Sequence, residues 1–195
     1  MQLHKRDVVD AATAILDNYG IADLTMRRLG RELNVSPGAL YWHFANKQQL
    51  LGAIADRILE PVADVSGDWR QRIAGVCGRL RDALLSHTDG AELVSASFAA
   101  GQSQAMTRIV AHLGDAAADA GVTAAHAELA ARTVVYYVLG FAADEQSRLQ
   151  WDAAGAELPE DRSVLTDDAG ERFAFGLTLL VDGIAARRPV VGAAD

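Results

Sequence analysis

The stretch Ser36-Pro-Gly-Ala-Leu-Tyr-Trp-His-Phe44 decides the fold. Ser36 suits a helix N-cap, and Pro37 stands at the first helical position, where its missing N–H costs nothing. Leu40 and Phe44, four residues apart, form one apolar stripe. Tyr41, Trp42 and His43 cannot all fit beneath it, so at least two are expected to face outward. Just upstream, Leu24-Thr-Met-Arg-Arg-Leu-Gly-Arg-Glu-Leu33 predicts a second short amphipathic helix on Leu24, Leu29 and Leu33, with Asn34-Val35 as a tight corner between the two. Two short helices meeting at a sharp turn, the second carrying exposed contact groups, make a helix-turn-helix. That arrangement implies sequence-specific binding of duplex DNA.

The rest of the chain predicts an all-α fold. Half of its 195 residues are apolar, Ala is abundant, and β-branched runs are short. The single cysteine, Cys77, excludes a disulfide framework and a cysteine zinc site, and reads as a small buried hydrophobe. No secretory apolar segment opens the chain and no run reaches the length of a membrane span, so a cytoplasmic protein is expected. The net charge of −8 argues against nucleic acid only until its distribution is examined. Residues 1–60 hold seven Lys/Arg and seven Asp/Glu, whereas the other 135 hold 11 against 19. Arg27, Arg28, Arg31 and Lys47 cluster around the second short helix, as a phosphate-binding footprint should.

Helix 1 is predicted over 5–19, with Val8, Ala12, Ile15, Leu16 and Tyr19 on one face and Gly20 as terminator. Asn46 and Gln49 stand at capping-box spacing ahead of helix 4, whose stripe of Leu50, Leu51, Ile54 and Ile58 continues to Pro61. The polar turn at 64–68 marks the boundary between a head of residues 1–63, including the connecting helix 4, and a second helical domain of residues 64–195. Further helices are expected at 69–87, 91–99, 103–119, 124–149 and 168–187, with Asp167 or Asp168 as the last N-cap and 152–167 as a long surface loop. The last two helices are apolar on more than one side. Val134, Tyr137, Val138 and Phe141 share a face, and Leu129, Tyr136 and Gly140 another. Phe173, Leu177, Leu180 and Ile184 oppose Phe175, Leu179 and Gly183. A helix apolar on both sides must be buried on both sides. A subunit interface drawing on Val134, Tyr137, Phe141, Phe175, Leu179, Leu180 and Gly183 satisfies this, and so do two central core helices of a monomer.

Within the head, Arg27 is the candidate base reader, because its planar fork matches guanine O6 and N7. Trp42 and His43 can add contacts in the major groove. Pro37, Gly38 and Ala39 are small enough to bring the capped helix start at Ser36 close to base edges. The Tyr41 hydroxyl, Arg28 and Lys47 suit phosphate, as does the start of helix 4. Enzymatic signals are weak: five histidines are scattered, and no metalloprotease, nucleophile-elbow or phosphate-loop motif occurs. No catalytic residue, metal ligand or cofactor is expected.

Leu24-Thr-x-Arg-x-Leu-x-x-x-Leu-x-Val35 followed by Leu40-Tyr-Trp-His-Phe-x-Asn-Lys47 resembles the TetR family of bacterial transcriptional regulators. Trp69, Ala83-Leu-Leu-Ser-His-x-Asp-Gly-Ala91 and Phe175-Gly-Leu-Thr-Leu179 are similar to the effector domain of tetracycline repressors. The resemblance implies a homodimer formed by a four-helix bundle of the last two helices, an operator partner, and a small-molecule effector in the second domain. It points to Leu80, Leu84, Val94, Ser97, Phe98, Met106, Val110, Tyr136 and Asp144 as lining the effector cavity. The family's magnesium-binding histidine corresponds to Val94, and the asparagine and phenylalanine that grip the drug correspond to Val76 and Leu80. Three apolar residues cannot ligate a hard cation. The resemblance therefore implies an effector other than magnesium-tetracycline, more apolar and metal-free, with Ser97, Tyr136 or Asp144 as polar anchors. Two other readings stay open: a repressor that is constitutive or regulated by a protein, and a helical enzyme with a relic head.

Overall fold

The computed structural model describes residues 3–62, 65–155 and 168–187. Among them the chain is all-helical, with no strand. Helix α1, Lys5–Tyr19, buries Val8, Ala12, Ile15 and Leu16, and Gly20 ends it at φ +78°. A short 3-10 turn, Ile21–Asp23, leads to α2, Met26–Glu32, where the Thr25 side chain accepts from Arg28 N at 3.1 Å. The corner after α2 is a Schellman turn: Val35 N donates to Gly30 O at 2.8 Å, and Asn34 N to Arg31 O at 3.2 Å. Asn34 takes the left-handed position, φ +53°, that this turn requires. Helix α3, Pro37–Tyr41, then starts from the Ser36 cap. Helix α4, Lys47–Ile58, carries the first half of the expected box, Asn46 Oδ1 accepting from Gln49 N at 2.9 Å, while Gln49 Oε1 accepts from Ala45 N at 3.0 Å, one residue before the cap.

The remaining helices are α5 Trp69–Leu85, α6 Gly90–Ala99, α7 Gln104–Asp119, α8 Ala124–Ala153 and α9 Ala169–Ala185. Asp168 is the cap of α9, accepting from Glu171 N at 2.8 Å. Helix α8 runs past the expected end at 149 because no breaker intervenes before Gly155, so the first residues of the expected 152–167 loop are helical. Residues 156–167 of that loop lie outside the described residues.

Contacts divide the chain into two compact units. One unit joins the chain up to Val62 with Arg81–Thr107. Its second segment is stitched to the end of α1: Asp89 Oδ2 accepts from Ile21 N at 2.8 Å, Thr88 Oγ1 donates to Asp17 O at 2.9 Å, and His87 Nδ1 lies 3.0 Å from Asp17 Oδ1. A Cβ at position 20 would stand 2.7 Å from the Asp89 carboxylate, so Gly20 serves both the backbone turn and this close approach.

The other unit takes in the segment ending at Leu80 and the chain from Arg108 onward. Here Tyr137 stacks on Phe173 with centroids 5.5 Å apart, Phe141 meets Phe173 edge-on at 5.3 Å, and the Tyr137 hydroxyl donates to Phe173 O at 2.8 Å. A side chain at Gly176 would collide with that hydroxyl. Arg70 bonds Asp182 at 2.9 Å, and Arg72 pairs with Asp119. Cys77 is buried in the same unit, and burial pushes its thiol up to about 12.

Candidate nucleic-acid interface

Helix α3 ends at Tyr41, so Trp42, His43 and Phe44 follow it; Leu40 within the helix and Phe44 beyond it are both buried, and the other side of α3 faces out. Trp42 is 91% exposed and Tyr41 51%, while His43 is half-buried. An indole that open has no role in packing its own chain. Ser36, Pro37 and Gly38 are exposed, Ala39 is half-buried, and a Cβ at Gly38 would approach only Ser36 Oγ, at 3.7 Å. The start of α3 is thus slim and unobstructed, with the Ser36 side chain accepting from Ala39 N at 3.3 Å.

The cations around this surface fall into two groups. Arg27 and Lys47 are exposed, and no ion pair holds either among the described residues. Arg28 is engaged: its guanidinium lies 3.6 Å over the Tyr19 ring and pairs with Asp23 at 2.5 Å, tying α2 to the end of α1. Sequence spacing cannot distinguish adjacent arginines in this way. A second feature missed from sequence is Gly30, where a Cβ would stand 2.9 Å from Val35 O. A glycine inside a seven-residue helix is the signal that could have found it, since it lowers helix propensity and so needs a packing reason.

The candidate effector residues divide. Leu84, Val94, Ser97 and Met106 are buried in the first unit, with Phe98 half-buried; Leu80 and Val110 are buried in the second. Val76 is buried as well. Ser97 is 2% exposed and its hydroxyl has no hydrogen-bond partner among the described residues. Tyr136, 58% exposed, and Asp144 are both exposed on α8. His87 is taken up by the seam with Asp17. No group of three His, Cys, Asp or Glu able to hold a metal occurs among the described residues.

The candidate interface residues divide too. Val134 is buried, and Tyr137 and Phe141 are engaged with Phe173, so these three turn to the interior of their own unit. Phe175 is 67% exposed and Leu179 59%; Gly183 is exposed and Leu180 half-buried. Leu129 and Tyr136 are exposed on α8. Among the described residues no helix is long and apolar enough to cross a membrane.

Known proteins share this architecture. Residues 8–54 match the family described as bacterial regulatory proteins, tetR family, and residues 60–188 match the tetracyclin repressor-like C-terminal domain. The tetracycline repressor protein class A from transposon 1721 of Escherichia coli is 34% identical, over 97% of this chain and 94% of its own. Mycobacterium smegmatis BioQ is 64% identical, with a TM-score of 0.89 over 95% of this chain and 99% of the other. BioQ solved with its double-stranded DNA operator is 61% identical, with a TM-score of 0.83 over the same shares of the two chains. An outward-facing α3 on a Schellman corner, in a sequence that matches such regulators along nearly its whole length, makes this chain a member of the TetR family: a DNA-binding transcriptional repressor, not an enzyme.

Proposed function

We propose that the chain acts as a cytoplasmic homodimer on a pseudo-palindromic operator and is released by an apolar small molecule bound without metal. The observation that carries this reading is the outward face of α8 and α9, where Leu129, Tyr136, Phe175 and Leu179 are more than half exposed in a single chain. Apolar groups of that size, aligned along two neighbouring helices, mark an interface. The likeness to BioQ, solved on duplex DNA, supports an operator for this chain too. Two recognition helices would then enter successive major grooves, roughly 34–36 Å apart. Arg27 reads bases, with Trp42 and His43 beside it; Tyr41 and Lys47 hold phosphate. The division of labour is a DNA-binding head over residues 1–63 and an effector-binding and dimerisation domain over 64–195.

Ser97 supports the effector. A buried hydroxyl without a partner costs about 1–3 kcal/mol, a cost that a ligand's polar group can offset. Val76, Leu80 and Val94 are apolar, so none of the three can serve as a metal ligand. Duplexes selected by this protein from random DNA should be palindromic and bind two chains. Tetracycline with magnesium should leave that complex intact. Release at micromolar drug, abolished by a chelator, would overturn the metal-free reading; one chain per duplex would overturn the dimer.

A further inference from the structure

The turn between α6 and α7 is fastened to α4 by two devices one helical turn apart. At Gly52 the backbone of Gln102 lies against the helix so closely that a Cβ would land on the Gln102 carbonyl oxygen and stand 2.9 Å from its carbon. Four residues on, on the same face of α4, Asp56 Oδ1 accepts from Ser103 Oγ at 2.7 Å and from Ala105 N at 2.8 Å. Ser103 is buried, and its hydroxyl accepts in turn from Met106 N at 3.1 Å. The first turn of the sixteen-residue α7 is therefore held by a carboxylate projecting from another helix, which also favours the positive end of its dipole.

The turn itself has little freedom. Gly101, at φ +65°, donates to Phe98 O at 3.0 Å, and Gln102 N donates to Ser97 O at 3.0 Å, which is a complete Schellman ending of α6. The backbone of Ser97 is thus linked to the face of α4 through a short segment of fixed geometry.

We infer that Asp56 is a positioning residue for operator binding: it touches no DNA, but by clamping α4 to the α6–α7 turn it fixes the bearing of the recognition helix that precedes α4. The inference rests on the homodimer reading above. A palindromic operator accepts one spacing of the two heads, so a looser joint lowers the population of the competent conformer and with it the apparent affinity. Binding to a single half-site, and the identity of the preferred bases, do not depend on the joint.

The test uses the full chain, a duplex selected by the wild-type protein, and a scrambled duplex of equal length, both followed by fluorescence anisotropy. Asp56→Ala deletes the clamp and Gly52→Ala wedges it open. Each should weaken the selected duplex by about tenfold or more, with affinity for the scrambled duplex and base preference unchanged. Asp56→Asn keeps an acceptor oxygen and should stay within about threefold of wild type. Asp56→Ala binding the selected duplex within about twofold of wild type, at a temperature where circular dichroism shows it folded, would overturn the inference, as would an equal loss on both duplexes. If Asp56→Ala does not fold, Ser103→Ala decides. It leaves the Ala105 bond in place, a loss of at least about threefold is expected, and wild-type affinity would overturn the inference. Failure of the wild type itself to bind two chains per selected duplex would instead count against the dimer reading.

Discussion

The outer side of α3 and the outer side of α8 and α9 are both exposed in a single chain, and they differ in what they are made of. Around α3 the large exposed groups are Tyr41, Trp42, Arg27 and Lys47, polar-tipped or charged side chains. On α8 and α9 the large exposed side chains include Leu129, Phe175 and Leu179, with Tyr136 beside them. A surface for a polyanion uses residue types that a protein interior rejects, whereas a surface for another protein uses those an interior prefers. The first is recognisable in a bare sequence. The second is recognisable only as an excess of apolar positions, and coordinates are needed to say which of them face out.

The largest effect that can break this contrast comes from one charge placed on either side of α9. Leu179→Glu alters the outward face, so the protomer should stay folded while the dimer is lost in sedimentation; affinity for the selected operator should fall about a hundredfold or more, since one half-site remains. Leu177→Glu buries an unpaired carboxylate and should destabilise the protomer by about 3–5 kcal/mol, giving insoluble or unfolded chain. Phe141→Glu belongs with the second variant, because Phe141 meets Phe173 inside the unit. Two variants of equal solubility and equal dimer affinity would remove the distinction between the faces.

Arg27 and Arg28 provide the next test, within the head. Arg27→Ala should cost about 1–3 kcal/mol of operator binding and relax the preference at one position, read by repeating the selection with the variant. Arg28→Ala should leave base preference alone and lower thermal stability by about 1 kcal/mol, because it removes the stack on Tyr19 and a partly exposed ion pair with Asp23. Swapped outcomes would mean that the exposed arginine is the structural one.

What is legible in the sequence follows the range of the interactions. The caps at Ser36 and Asn46, the stop at Gly20 and the stripe of Leu40 and Phe44 are local, and each is found where spacing predicts it. Asp17 meeting His87, and Asp56 meeting Ser103, join residues far apart along the chain, so no spacing rule announces them. For the same reason the grouping of Arg81–Thr107 with the head is invisible in the sequence. The resemblance points to Tyr136 and Asp144 as cavity positions, and both are exposed on α8; a match along the chain says nothing of which way a helix turns its side chains. Gly30 and Gly52 stand out as glycines inside helices, although what they make room for does not.

The smallest effect is that of Lys47, and it bears on both surfaces at once. Lys47 is exposed at the first position of α4, beside the N-terminal dipole, and no ion pair holds it among the described residues. A lysine so placed can neutralise a phosphate without reading a base, so Lys47→Ala should weaken the selected and the scrambled duplex by a similar modest factor. For every phosphate that is no longer neutralised, the slope of log K against log salt falls by about 0.9. A dimer on a palindrome carries Lys47 twice, so the slope for the selected duplex should flatten by nearly two units, whereas a lone head would lose only about one. The same titration on Leu179→Glu, where one half-site is engaged at a time, should give the smaller change. Equal changes of about one unit in the dimeric and the monomeric protein would mean that only one head grips the duplex, and the pairing of these two surfaces in one function would fail.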